Sequence, residues 1–164
     1  MDTANLAAVL REKNVFIEGV GFVGRVGSVD LPEVSFKQEE INGRKIDTAL
    51  LEPMEAKIEI YEVNEVLWSA FNKRIDELAS FVVRESIVNN GVKTPLYFEL
   101  GGWIDKLKDK SEKPGEGRSV EISLNVQVYK VELNGKVLND IDIGNYICNI
   151  GGKDIYSEIR QHTF

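Results

Sequence analysis

The chain predicts a mainly β fold with one flanking helix, and three observations carry that reading. Apolar and polar residues alternate with a period of two in several stretches, the longest from Ser119 to Leu133. Turn residues separate those stretches, as at Asn89-Asn90-Gly91 and Asn134-Gly135. Helical spacing is sustained over one long segment, Asn64 to Leu78. With 164 residues the sequence fits one domain, 1–164, large enough to bury roughly 70% of its unfolded surface.

Taken in order, Asn5 to Arg11 suits a short helix or a strand equally well. Asn14 to Glu18 reads as a strand through Val15, Phe16 and Ile17, and it runs into Gly19-Val20-Gly21-Phe22-Val23-Gly24. That G-x-G-x-x-G would mark a dinucleotide-binding turn only if a helix opened at its last glycine to hold a pyrophosphate. Here Arg25 to Pro32 follows, with β-branched residues at alternate positions, so the glycines predict a hairpin between strands. Val34 and Phe36 begin another strand with a charged end at Gln38-Glu39-Glu40. Ile41 to Pro53 shows no sustained period and predicts a protruding loop. Met54, Ala56, Ile58 and Ile60 alternate with Glu55, Lys57 and Glu59, a strand with one dry and one wet face.

Asn64 can cap the helix, and Leu67, Phe71, Ile75 and Leu78 share one face, with Trp68 and Phe71 expected to pack on the core. Phe81–Val88 and Pro95–Ile104 predict strands whose wet faces carry Arg84 and Glu99. Asp105 to Arg118 is so charged that a mobile loop is expected. Beyond it, Val120, Ile122, Leu124, Val126 and Val128 alternate with Glu121, Ser123, Asn125 and Gln127; the phase then flips, with Tyr129, Val131 and Leu133 apolar. Such a flip needs a bulge or a change of environment. Asn134-Gly135 suits a type I′ turn, and Lys136 to Ile143 supplies the return strand. Tyr146–Ile150 predicts a short strand, Gly151-Gly152 a turn, and Asp154 the start of a helix through Ile155 and Ile159 that ends near a solvated His162.

Composition narrows the function classes. A formal net charge of −7 argues against a reader of duplex DNA. The single Cys148 forms no internal disulfide and suits a reducing compartment such as bacterial cytoplasm. No membrane span or secretion signal is legible. No nucleophile constellation, metal-ligand cluster or phosphate loop can be argued, so no catalytic, cofactor-binding or metal site is expected. Carboxylate pairs such as Glu39-Glu40, or Asp140 with Asp142, are what 27 acidic residues supply by chance. The informative feature is the set of continuous polar strand faces, which imply a sheet facing water and strand edges open to another copy.

Gly101-Gly102, the charged loop with Pro114-Gly115-Glu116, Tyr129, Asn134-Gly135-Lys136, Ile141-Asp142, Asn145 and Gly151-Gly152-Lys153-Asp154 resemble, in order and spacing, the major tail tube proteins of contractile-tailed bacteriophages, also found in phage-tail-like bacteriocins. Asn14, Phe16, Gly19, Gly24, Val26, Ser28 and Leu31-Pro32 resemble that family's opening strands. The resemblance implies a two-sheet β-sandwich or barrel with a flanking helix. It implies six copies closing into a ring, and rings stacking into a hollow tube that conducts DNA without sequence-specific binding. The implied partners are a tail sheath protein, a tape measure protein in the lumen and baseplate initiator proteins, in a virion tail assembled in the host cytoplasm. With that architecture, Glu55, Lys57, Glu59, Glu121, Ser123, Asn125 and Gln127 are expected to face the lumen, whose net negative charge would repel DNA in transit. Asn42, Gly43, Arg44, Lys45 and Asp47 are expected in a loop joining subunits and rings, although Ile41–Pro53 is shorter and poorer in glycine than the family's loop. A type VI secretion tube component is the nearest alternative, and a monomeric ligand-binding barrel, which would hold an apolar cavity, a more distant one.

Overall fold

The alternation at Met54–Ile60 becomes a strand whose burial follows the sequence residue by residue: Met54, Ala56, Ile58 and Ile60 are buried, while Glu55 and Lys57 are exposed. The computed structural model describes residues 9–17, 21–61, 65–73, 77–89, 91–110, 113–115 and 117–163. Its elements are β1 (Val9–Ile17), β2 (Gly21–Asp30), β3 (Phe36–Ile41), β4 (Arg44–Leu51), β5 (Met54–Ile60), α1 (Glu65–Phe71), β6 (Ala79–Asn89), β7 (Val92–Lys110), β8 (Ser119–Leu133), β9 (Lys136–Asp142), β10 (Ile147–Ile150), β11 (Lys153–Asp154) and α2 (Ser157–Thr163).

The strands form two layers that share their longest members. On one edge β8 pairs with β7 along its whole length. On the other edge it pairs first with β5, over Val120–Val126, and then with β9, over Val128–Leu133. The first layer is therefore β2–β5–β8–β7, built from Val26–Asp30, β5, the first half of β8 and β7 from Gly102 onward. The second runs β1–β6–β7–β8–β9–β10–β11. This is the expected sandwich, with strands that pass from one layer to the other, β2 pairing with β1 over Gly21–Arg25 and with β5 over Val26–Asp30. Between the layers lie Ile58, Ile60, Phe81, Leu100, Ile104, Ile122 and Leu124, all fully buried.

The phase flip in β8 is a bulge. Gly101 pairs with Val128 and Gly102 with Val126, which leaves Gln127 as the extra residue. Val126 and Tyr129 consequently both point inward, and the orphaned Gln127 carbonyl accepts a hydrogen bond from the Ile143 amide at 3.0 Å. The glycines opposite allow the strands to approach: a Cβ on Gly102 would lie 1.9 Å from the Asn125 carbonyl oxygen. A second extra residue, Asp105, lies in β7 between Ile104 and Lys106.

Several expectations are corrected. Asp105–Lys110 is strand, because its lysines lie on a wet face and its charges are paired: Lys110 meets Glu121 at 2.9 Å and Arg118 meets Asp109 at 2.6 Å. Ile41–Pro53 is the turn and return strand of the β3–β4 hairpin, a separate two-stranded sheet. Its residues lack alternation because the hairpin has no buried face to impose one. The helix ends at Phe71, short of the expected Leu78. Trp68 is 51% exposed and meets Phe71 edge-on with ring centroids 6.4 Å apart, so of that pair only Phe71 packs against the core. The side chain of Leu67, all of Ile75, the expected cap Asn64 and residues 18–20 of the expected hairpin lie outside the described residues. Val9–Arg11 is strand. Asp154 belongs to β11, and the last helix opens at Ser157, leaving His162 exposed.

Candidate functional site

Antiparallel partners project to the same side of a sheet, so the register fixes which residues share the wet face of the first layer. One row across it reads Ser28, Glu59, Glu121, Lys108, and the next Asp30, Lys57, Ser123, Lys106. A third joins Glu55, Asn125 and Trp103. Six of the seven residues picked from sequence therefore lie on one surface. Glu55 and Lys57 are exposed, while Glu59, Glu121, Asn125 and Gln127 are half-buried. Ser123 is only 7% exposed, a short side chain in line with the longer Lys57 and Lys106. The bulge residue Gln127 stays with this group, donating from Nε2 to Asn125 Oδ1 at 2.9 Å.

The electrostatics of the face differ from expectation. Glu59 and Glu121 are directly opposed, an unfavourable pairing unless cations neutralise it. Lys110 does so, donating to Glu121 and holding that carboxyl below the ordinary carboxylate range, with Lys57 and Lys108 adding to the effect. Ser28 Oγ donates to Glu59 Oε2 at 3.5 Å. Against Asp30, Glu55, Glu59 and Glu121 stand Lys57, Lys106, Lys108 and Lys110, so the face is charge-balanced and the negative net charge resides elsewhere. Sequence reasoning missed Asp30 and the three lysines of β7. Their spacing of two was the available signal, hidden because the surrounding charge read as loop.

Both outer edges of this layer, β7 past Gly102 and β2 past Arg25, end without a strand neighbour among the described residues. Open edges of this length invite pairing with another chain.

The second surface is the β3–β4 hairpin, hereafter the arm. Asn42 and Gly43 turn it with φ of 51° and 74°, and Arg44 and Lys45 open its return strand. Ile41 pairs with Arg44 and Glu39 with Ile46, which puts Ile41, 53% exposed, and Ile46, 46% exposed, on one face. Asp47 acts within the arm itself, where its Oδ1 accepts from the Ala49 amide at 2.8 Å and holds Ala49 at φ 55° in a bulge. The foot of the arm is anchored. The Leu51 amide donates to Tyr156 Oη at 2.8 Å and the Glu52 amide to the Ser35 carbonyl at 2.8 Å.

That anchor is itself braced by Asp154. One carboxylate oxygen accepts from the Cys148 and Tyr156 amides, and the other from Arg160 at 2.7 Å. The Arg160 bond holds the Asp154 carboxyl below its usual range, whereas burial raises the Cys148 thiol and Tyr156 phenol. Among the described residues no cluster of His, Cys, Asp or Glu could hold a metal ion.

The chain is similar to known tail tube proteins. The family model described as phage tail tube protein FII matches residues 7–163. The major tail tube protein of Serratia phage KSP20 is 26% identical over 156 residues, covering 91% of each chain. Among solved structures, a chain from the extended sheath–tube complex of an extracellular contractile injection system (PVC) superposes with a TM-score of 0.59 at 11% identity, over 79% of this chain and 94% of that one. Hcp protein superposes with a TM-score of 0.50 at 9% identity, over 80% and 96% respectively.

Proposed function

The chain belongs to the phage tail tube protein FII family, and from that premise we propose how its two surfaces build a tube. It is a structural subunit of a virion tail tube. The carrying observation is the first layer, which has four antiparallel strands, a wet outer face and two open edges. An even strand number matters physically. Copies related by rotation about a tube axis keep the same orientation, so β7 of one copy meets β2 of the next running antiparallel, and strand alternation continues across every boundary. Head-to-tail pairing of this kind closes a ring and leaves no edge exposed.

In such a ring of six, the wet face carrying Glu55, Lys57, Glu59, Glu121, Ser123, Asn125 and Gln127 lines the lumen. Lysines interspersed with carboxylates give DNA no continuous positive track to hold, so the conduit is non-adhesive through charge balance. The arm projects outside the two-layer body, and its exposed Ile41 and Ile46 gain burial against a neighbouring copy when rings stack. A tail sheath outside, a tape measure protein within and baseplate initiators below complete the assembly, which forms in the host cytoplasm. A ligand-binding monomer fits less well, because side chains fill the space between the layers.

Negative-stain electron microscopy across a concentration series, with and without baseplate complexes, tests this reading. Sixfold rings or hollow tubes are expected. A monomer that persists with the initiator present would overturn it.

A further inference from the structure

The two open edges carry opposite charge on the wet side. On β7, Lys106 and Lys108 are exposed, occupy alternate positions and continue to Lys110. On β2, the corresponding position is Asp30, also exposed, which shares a row with Lys106 through Lys57 and Ser123. We propose that the lysine column of β7 and Asp30 of the next copy form an electrostatic key at the ring seam, selecting β7-to-β2 pairing over β7-to-β7 or β2-to-β2. This rests on the ring reading above and goes beyond it by naming the residues that decide which edges meet.

The physical argument is one of difference. Backbone hydrogen bonds between strand edges are blind to identity, so they stabilise wrong pairings almost as well as right ones. Charge supplies the discrimination. Two β7 edges brought together would oppose lysine columns, and two β2 edges would oppose Asp30 with itself, each a like-charge contact. The head-to-tail pairing alone brings opposite signs together. A column is also tolerant of register. Closing a sheet requires the strands to stagger, and lysines at three successive wet positions keep one opposite Asp30 through shifts of none, two or four residues. Partner, chemistry and geometry thus converge on a second copy of this chain.

The test uses charge reversal at exposed positions: Asp30→Lys in one protein and Lys106→Asp/Lys108→Asp in another. Thermal melts first establish that both fold as the unmodified protein does. Tube growth is then followed by light scattering at low ionic strength, with initiator present. Each variant alone is expected to assemble about tenfold more slowly or worse, the scale on which electrostatic steering acts. An equimolar mixture is expected to recover to within about threefold of the unmodified rate, because alternating copies restore opposite charge at all seams of an even-membered ring. Added salt should slow the unmodified protein and lessen the defect of the variants. Variants that grow at the unmodified rate, or a mixture no better than its components, would overturn the key while leaving the tube intact. Failure of the unmodified protein to form rings or tubes would remove the tube reading, and the key with it.

Discussion

Two hairpins in this molecule turn on the same dipeptide and end in opposite environments. Asn42-Gly43 joins β3 to β4 with φ of 51° and 74°, and Asn134-Gly135 joins β8 to β9 with 51° and 81°. Both satisfy the left-handed geometry of a two-residue type I′ turn. Yet β8 buries Val120, Ile122, Leu124 and Val126 completely or nearly so, whereas β3 is exposed from Lys37 to Ile41. The turn fixes that a hairpin forms; the strands fix where it goes. Alternation on either side of the Gln127 bulge ties β8 to both layers. The arm offers Ile41 and Ile46, aliphatics on one face that its own body does not cover, and the stacking role proposed above rests on them.

Disrupting the β7–β8 contact should have the largest effect. Gly102→Ala places a Cβ against the Asn125 backbone, and neither strand can yield without losing its ladder. Overpacking of this severity should cost about 3 kcal/mol or more, lowering Tm by roughly 6–12 °C, if the protein folds at all. Next comes Leu124→Ala in the fully buried interior, expected to cost about 2–5 kcal/mol in chemical denaturation.

Gly135→Ala and Gly43→Ala set the two hairpins against each other, since both force alanine into a left-handed turn at a local cost of about 1–2 kcal/mol. The first should lower global stability by that amount. The second should leave the unfolding midpoint almost unchanged, because the arm can fray without opening the core; equal losses at both sites would show that the arm belongs to the cooperative unit. Ile41→Ser/Ile46→Ser tests the arm's role. Subunit stability should stay within about 0.5 kcal/mol while stacked tubes are lost from micrographs.

The smallest effect concerns the brace at the arm's foot. Asp154 has a folded pKa depressed below its usual 3.8, chiefly by Arg160. A depressed carboxylate contributes stability that is full above its unfolded pKa and is lost as pH falls through the folded one. Asp154→Asn should therefore flatten the acid limb of a stability–pH curve below about pH 4, and an unchanged limb would show that the brace contributes nothing measurable.

Much of this was legible in the chain. Where a strand has one dry face, as at Met54–Ile60 and Val120–Val126, alternation records burial directly, and Asn134-Gly135 announces its turn. The wet-face set Glu55, Lys57, Glu59, Glu121, Ser123, Asn125 and Gln127, proposed to line the lumen, could be grouped for the same reason. Strands wet on both faces leave no such record, so the arm read as a loop, and the charge of Asp105–Lys110 hid a strand whose lysines lie on a wet face. Helical spacing past Phe71 overstated the helix because periodicity describes what a segment could bury, not what lies beside it.

The β class, the main strands and the Asn134-Gly135 turn were thus written in the chain alone, since they follow from local sterics and from the period of apolar residues. Packing in three dimensions settled the rest: that the β8 phase flip is a bulge at Gln127, that Gly102 lies under the Asn125 carbonyl, that lysines of β7 share a face with carboxylates of β2, β5 and β8, and that two edges have no strand partner among the described residues. Each of those depends on the register between strands distant in the chain, and register is set by how whole layers pack.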